Sequence, residues 1–186
     1  TAAKDPVTSA AIPYMAQYTH RLVFQISGGG LPPLNVTHDF VPGGGEVTTT
    51  RAIVQTDNCN GCHGELTAHG SRYELDYCVV CHNPGTTDAA TGNSVNMASM
   101  VHKIHMGHNL PGAPFVIGDH DYSETTYPQS ILNCRKCHDG SLEATPEGDN
   151  WKDVPNLVAC GSCHTDTTFG TGATHSGGPQ ANNSLC

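Results

Sequence analysis

Four times in this chain a Cys-x-x-Cys pair is followed at once by a histidine: Cys59-Asn-Gly-Cys62-His63, Cys78-Val-Val-Cys81-His82, Cys134-Arg-Lys-Cys137-His138 and Cys160-Gly-Ser-Cys163-His164. The two-residue spacer lets one short turn present both sulfurs along one edge of a flat ring. The next residue then points beneath that ring. This is the attachment pattern of haem c, in which the two thiols form thioethers with the vinyl groups and the histidine reaches the iron. Zinc is the rival reading, because two Cys-x-x-Cys knuckles can pool four thiolates on one metal. Zinc does not require a histidine after every pair, however. With 12 His in 186 residues, four such coincidences come to roughly one in a hundred thousand. Structural disulfides leave the histidines equally unexplained. The sequence therefore implies four haem c groups, held by Cys59, Cys62, Cys78, Cys81, Cys134, Cys137, Cys160 and Cys163, with His63, His82, His138 and His164 as proximal ligands.

Four porphyrins also resolve a difficulty of composition. Apolar residues make up 37% of the chain, aromatics 6%, and there are 21 Gly and 12 Pro. Such apolar side chains are too few and scattered for an ordinary core. If the haems are the core, the protein need only wrap them. The expected fold is a multihaem cytochrome c of mostly loops and short helices around a haem chain, with a small N-terminal β region. A formal charge of −9 and the lack of a basic stripe argue against nucleic acid or an anionic membrane surface as partner. No stretch approaches the ~20 apolar residues of a membrane-spanning helix. The chain starts at Thr1 without an apolar signal segment, the pattern of an exported protein whose leader has been removed. Asn35-Val-Thr37 fits a glycosylation sequon, a short motif that alone carries little weight.

Residues 1–58 lack cysteine and read as a β-strand arm or the end of a β domain, and residues 59–186 as a tetrahaem domain. Leu22, Phe24 and Ile26 alternate with Arg21, Val23 and Gln25, which predicts a strand. Gly28-Gly-Gly-Leu-Pro-Pro33 breaks it, and Leu34, Val36, His38 and Phe40 alternate again. A Thr- and Val-rich run from Val47 to Val54 is a candidate third strand. Beyond Cys59 turn formers dominate. The best helical pattern spans about Asn93 to Met106, with Met97, Met100, Val101 and Ile104 on one stripe, Ser94 or Asn96 as cap and Gly107 as stop. Cys186 reads either as a stray terminal thiol or as the first cysteine of a fifth haem motif. The interval from Cys134 to Cys160 repeats from Cys160 to Cys186, which favours the second.

Each motif supplies one axial ligand, and the other decides what the iron can do. A second imidazole closes the iron and makes a carrier, whereas an open position admits substrate. Eight histidines lie outside the motifs, twice the number required. His102 and His105 are the strongest candidates, one turn apart on the predicted helix. His69, beside Gly70, is close to the first two motifs, and His175 lies in a Gly-rich stretch after the fourth. His120, His20, His38 and His108 are in reserve. Met15, Met97, Met100 and Met106 could ligate, but most of them belong to or adjoin the helical stripe, where Met packs. Bis-histidine ligation lacks the thioether that raises potential, so low potentials are expected. Electron transfer is the leading function. A multihaem reductase with a ligand-accessible iron, or charge storage on separated haems, are the alternatives. No Ser-His-Asp or paired-carboxylate arrangement marks a catalytic centre.

In order, Arg51 to His63, Leu66-Thr-Ala-His-Gly70, Tyr77 to Gly85, Met100-Val-His-Lys-Ile-His-Met-Gly107 and Tyr127-Pro-Gln129 resemble the outer-surface multihaem cytochromes of metal-reducing bacteria. Those are decahaem proteins with two pentahaem and two small β domains. The likeness runs over roughly 38–186. It implies bis-histidine haems that pass electrons to extracellular minerals, flavins or electrodes, an extracellular or outer-cell-surface location, and distal ligands at His69, His102, His105, His120 and His175. Partners would be other multihaem cytochromes and extracellular electron acceptors. The departure is that only four motifs are complete. A four-haem chain also resembles the subunits of extracellular cytochrome filaments, head-to-tail polymers in which His20 or His38 could ligate a haem of the neighbouring copy. A filament subunit and a fragment of a longer decahaem metal-reducing cytochrome remain alternatives at this level.

Overall fold

The computed structural model describes residues 10–112 and 114–183; Cys186 and the question of a fifth motif lie outside them. Strand β1 (His20–Gly28) pairs antiparallel with β2 (Leu31–Phe40), from His20 opposite Phe40 to Gly28 opposite Leu31. Gly28, Gly29 and Gly30 all have positive φ, which the tight reversal between the strands requires. Pro32 and Pro33 are tolerated in β2 because a two-stranded ribbon has free edges. The predicted third strand does not form. Residues 46–55 carry no regular structure, and Arg51 sits at φ 54, which interrupts an extended run.

The register sets Leu22, Phe24 and Ile26 beside Leu34 and Val36 on one face of the hairpin, and that face is exposed (Phe24 52%, Ile26 59%). The polar face is the one that docks. Arg21 makes a bidentate pair with Asp39 at 2.7 Å and reaches Asp76 at 2.8 Å. The Asn35 amide donates to the Ser71 carbonyl at 3.0 Å and its side-chain oxygen accepts from the Tyr73 amide at 2.9 Å. A buried, doubly bonded Asn35 is not an acceptor for glycan, so the sequon has a structural role.

Helix α1 (Thr56–His63) and α2 (Leu75–Cys81) carry the first two motifs. Their starts are tied together: Thr56 donates its hydroxyl to Glu74 at 3.0 Å and accepts the Leu75 amide at 2.9 Å. Helix α3 (Met97–Met106) begins later than the predicted Asn93, because Asn96 caps it by accepting the Ala98 amide. Gly107, at φ 48, ends it where the Thr125 backbone crosses too closely for a Cβ. A short ribbon, β3 (Val116–Ile117) with β4 (His120–Asp121), follows. Helices α4 (Asn150–Asp153) and α5 (Leu157–Gly161) complete the order, α5 packing against α3.

An apolar core is nearly absent. Among the described residues only Val95 and Phe115 are buried hydrophobics. The protein wraps surfaces that its own side chains do not fill.

Candidate haem sites

Each motif folds locally as one helical turn. The amides of His82, His138 and His164 donate to the carbonyls of Cys78, Cys134 and Cys160 at 2.9, 2.9 and 3.0 Å, and His63 closes α1 in the same way as its last residue. The turn carries the two sulfurs together and delivers the imidazole beneath them. None of the eight motif cysteines is in a disulfide. Among the described residues no group of three or more His, Cys, Asp or Glu side chains is gathered as a metal cluster, so the thiols are not pooled as the zinc reading requires.

The imidazoles, by contrast, come in pairs. The ring centres of His63 and His105 are 6.1 Å apart, those of His69 and His82 6.0 Å, and those of His102 and His138 6.1 Å. Two metal–nitrogen bonds of about 2.0–2.1 Å, each extended by the roughly 1.1 Å from ring nitrogen to ring centre, place trans imidazoles about 6 Å apart. The spacing fits one iron between each pair, with thioether sulfurs in place of the present thiols. The planes differ by 63° for His63–His105 but by 20° and 24° for the other two.

Hydrogen bonds fix which nitrogen is free. A backbone carbonyl only accepts, so a ring nitrogen beside one carries the proton and the other nitrogen is left to ligate. His102 Nδ1 donates to the Ala98 carbonyl at 2.6 Å, His105 Nδ1 to Val101 at 2.9 Å and His82 Nδ1 to Val95 at 2.7 Å. Burial lowers the basicity of His105 and His138, which keeps both neutral as ligands must be.

The thiols reveal how the motifs are arranged in space. Burial, then the neighbouring Cys137 and Cys78, raises the Cys59 thiol; burial and then Cys62 raises Cys137; burial and then Cys134 raises Cys163. The first motif thus has sulfurs of the second and third within electrostatic reach, and the fourth has one of the third. Helix α3 serves two of these motifs, its His105 facing the first and its His102 the third.

The remaining histidines differ. No imidazole among the described residues stands at 6 Å from His164. His175 Nδ1 donates to the Gly178 carbonyl at 2.8 Å and its ring meets Phe169, while His120 meets Tyr122; neither is brought against His164. His108 Nδ1 faces the Thr125 carbonyl at 3.3 Å. The segment after it touches the fourth motif, where the Thr165 hydroxyl donates to Pro111 at 3.4 Å. His20 uses Nε2 on the Met15 carbonyl at 3.1 Å, which leaves only Nδ1 for a metal. His38 lies against Phe40 on the hairpin. Tyr127, whose ring is 5.4 Å from His105, lies in the Tyr127-Pro-Gln129 run of the family resemblance, but nothing in its spacing gave it a role at an iron.

Cys-x-x-Cys-His turns, three of them with a second imidazole facing the motif histidine, in a chain otherwise short of core, mark a multihaem c-type cytochrome domain. The chain belongs to the outer membrane cytochrome MtrC/MtrF-like family, domains II/IV, whose model matches residues 51–185. It is 30% identical to the multiheme cytochrome MtrC of Shewanella baltica over 96% of its own length and 25% of that protein's. The crystal structure of MtrC from Shewanella baltica aligns over 97% of this chain and 27% of that one, with TM-score 0.70 and 27% identity. The outer membrane decaheme cytochrome OmcA aligns over 86% of this chain and 26% of that one, with TM-score 0.74 and 26% identity. The chain thus spans about a quarter of these relatives' lengths.

Proposed function

We propose that this chain is an electron-transfer domain of an extracellular, outer-surface cytochrome, carrying four covalently bound haems each held between two histidines. The observation that carries this reading is the set of three imidazole pairs at 6.0–6.1 Å strung along motifs that adjoin one another in space. Haem iron so held supplies reversible one-electron chemistry at low potential. The chain's own residues hold the eight sulfur positions, keep the ligand imidazoles neutral, and fix their free nitrogens by backbone bonds at Ala98, Val101 and Val95. For the fourth motif we assign the sixth ligand to His108, because the Pro111–Thr165 contact and the packing of α3 on α5 bring its segment there. Other multihaem cytochromes and extracellular acceptors are the partners that this reading implies, in line with the family.

The exposed apolar face of the hairpin supports reading residues 1–58 as part of a β unit larger than the strands seen here, and residues 59–186 as the haem domain. The filament alternative allows a histidine lent by a neighbouring copy; of its two candidates, His20 has Nε2 engaged by the Met15 carbonyl and His38 stacks on Phe40. The reductase alternative has one observation in its favour, the unpaired His164. Carbon monoxide added to the reduced protein separates the readings. The carrier reading expects no rapid stoichiometric binding, and one equivalent per chain, mapped to the fourth motif, would favour the reductase.

A further inference from the structure

Two histidines of α3 share one backbone anchor but not one geometry. His102 and His105 each donate Nδ1 to the carbonyl four residues earlier, yet His102 lies 24° from its partner's plane and His105 lies 63° from its own. The helical anchor therefore does not set the difference. The angles also depend on the facing rings of His63 and His138; on the α3 side, what distinguishes His105 is Tyr127, which meets its ring edge-on at 5.4 Å and 76°, the arrangement aromatic quadrupoles favour. Tyr127 is itself held. Its hydroxyl accepts from the Gln129 amide at 3.3 Å, and the Gln129 oxygen accepts from Asn133 at 3.0 Å. Pro128 stiffens the link between the two, and Asn133 directly precedes Cys134 of the third motif.

We infer that Tyr127 is a positioning residue that braces the His105 imidazole at a wide angle to His63, linking the first haem site to the third through Gln129 and Asn133. This rests on the bis-histidine reading. The consequence is physical. Ligand planes that are nearly parallel give a ferric haem a rhombic low-spin spectrum, whereas widely crossed planes give a strongly anisotropic signal with one large g value. The second and third sites should be rhombic, and the first should differ because of Tyr127.

The test is electron paramagnetic resonance of the oxidised full chain with its haems attached, counted beforehand by the pyridine haemochrome. Wild type should show one large-g component that disappears in His105→Ala. Tyr127→Phe, which keeps the ring but releases its hydroxyl end, should retain that component with a broadened line, and Tyr127→Leu should move it towards the rhombic signals with those signals unchanged. A four-haem Tyr127→Leu protein with the wild-type spectrum overturns the brace. Should that variant load fewer haems, Gln129→Ala frees the hydroxyl end alone; a broadened large-g component then supports the brace and an unaltered line shape overturns it. Wild type with a low-spin first haem but no large-g component also overturns it, leaving ligation intact. A high-spin first haem in wild type instead overturns the ligation reading, and the brace falls with it.

Discussion

His102 and His105 stand one turn apart on α3 yet face different haem motifs, His102 meeting His138 and His105 meeting His63, each at 6.1 Å between ring centres. One helix thereby ties the first site to the third, which adjoin in space although the second motif lies between them in sequence.

Removing either ligand should open one iron and only one. His102→Ala and His105→Ala should each keep four covalent haems and convert one from low-spin to high-spin, with one new equivalent of carbon monoxide bound after reduction. The double variant should bind two. Identical spectra for the two single variants' remaining haems would show that both side chains serve the same site.

The fourth site gives a sharper choice. His108→Ala should create one carbon-monoxide-binding haem, while His120→Ala and His175→Ala should leave the low-spin spectrum as it is. A high-spin haem in His175→Ala with none in His108→Ala would reverse the assignment.

His20→Ala and His38→Ala should leave every haem low-spin and the state of association unchanged, because His20 already spends Nε2 on Met15. One high-spin haem per chain in either variant, with shorter assemblies, would favour a filament with a lent ligand.

The hairpin should respond to acid. The Arg21 guanidinium hydrogen-bonded to Asp39 holds that carboxyl below its usual value. A depressed folded pKa contributes stability that is complete above the unfolded carboxylate value of about 3.9 and is lost as pH falls through the folded one. Hydrogen exchange of β1 and β2 amides should therefore accelerate below about pH 4. Asp39→Asn should weaken docking at neutral pH by about 1.5–3 kcal/mol and flatten the acid response. Equal exchange in the variant and wild type across that range would contradict the clamp.

How much of this was legible beforehand differs by element. The haem turns could be read because covalent attachment fixes residue type and spacing together. Strands β1 and β2 and helix α3 followed from their periodicity and from Asn96 and Gly107. The Val47–Val54 run shows the limit: its composition favours a strand, but no partner strand meets it and Arg51 turns away. The hairpin's alternation was visible, while the side that docks was not, since Arg21 and Asn35 find their partners at Asp76 and Tyr73, far along the chain. The pairing of His69 with His82 and of His102 with His138 depends on the same long-range packing. Tyr127 carried no spacing signal, because a brace needs only contact.

The central claim is that imidazoles close the irons of the first three motifs from both sides, and a carbon monoxide titration of the dithionite-reduced full chain tests it most directly. The account predicts no rapid stoichiometric binding in wild type; a single equivalent at the fourth motif would instead favour the reductase reading. Rapid binding of two or more equivalents per four haems would contradict it.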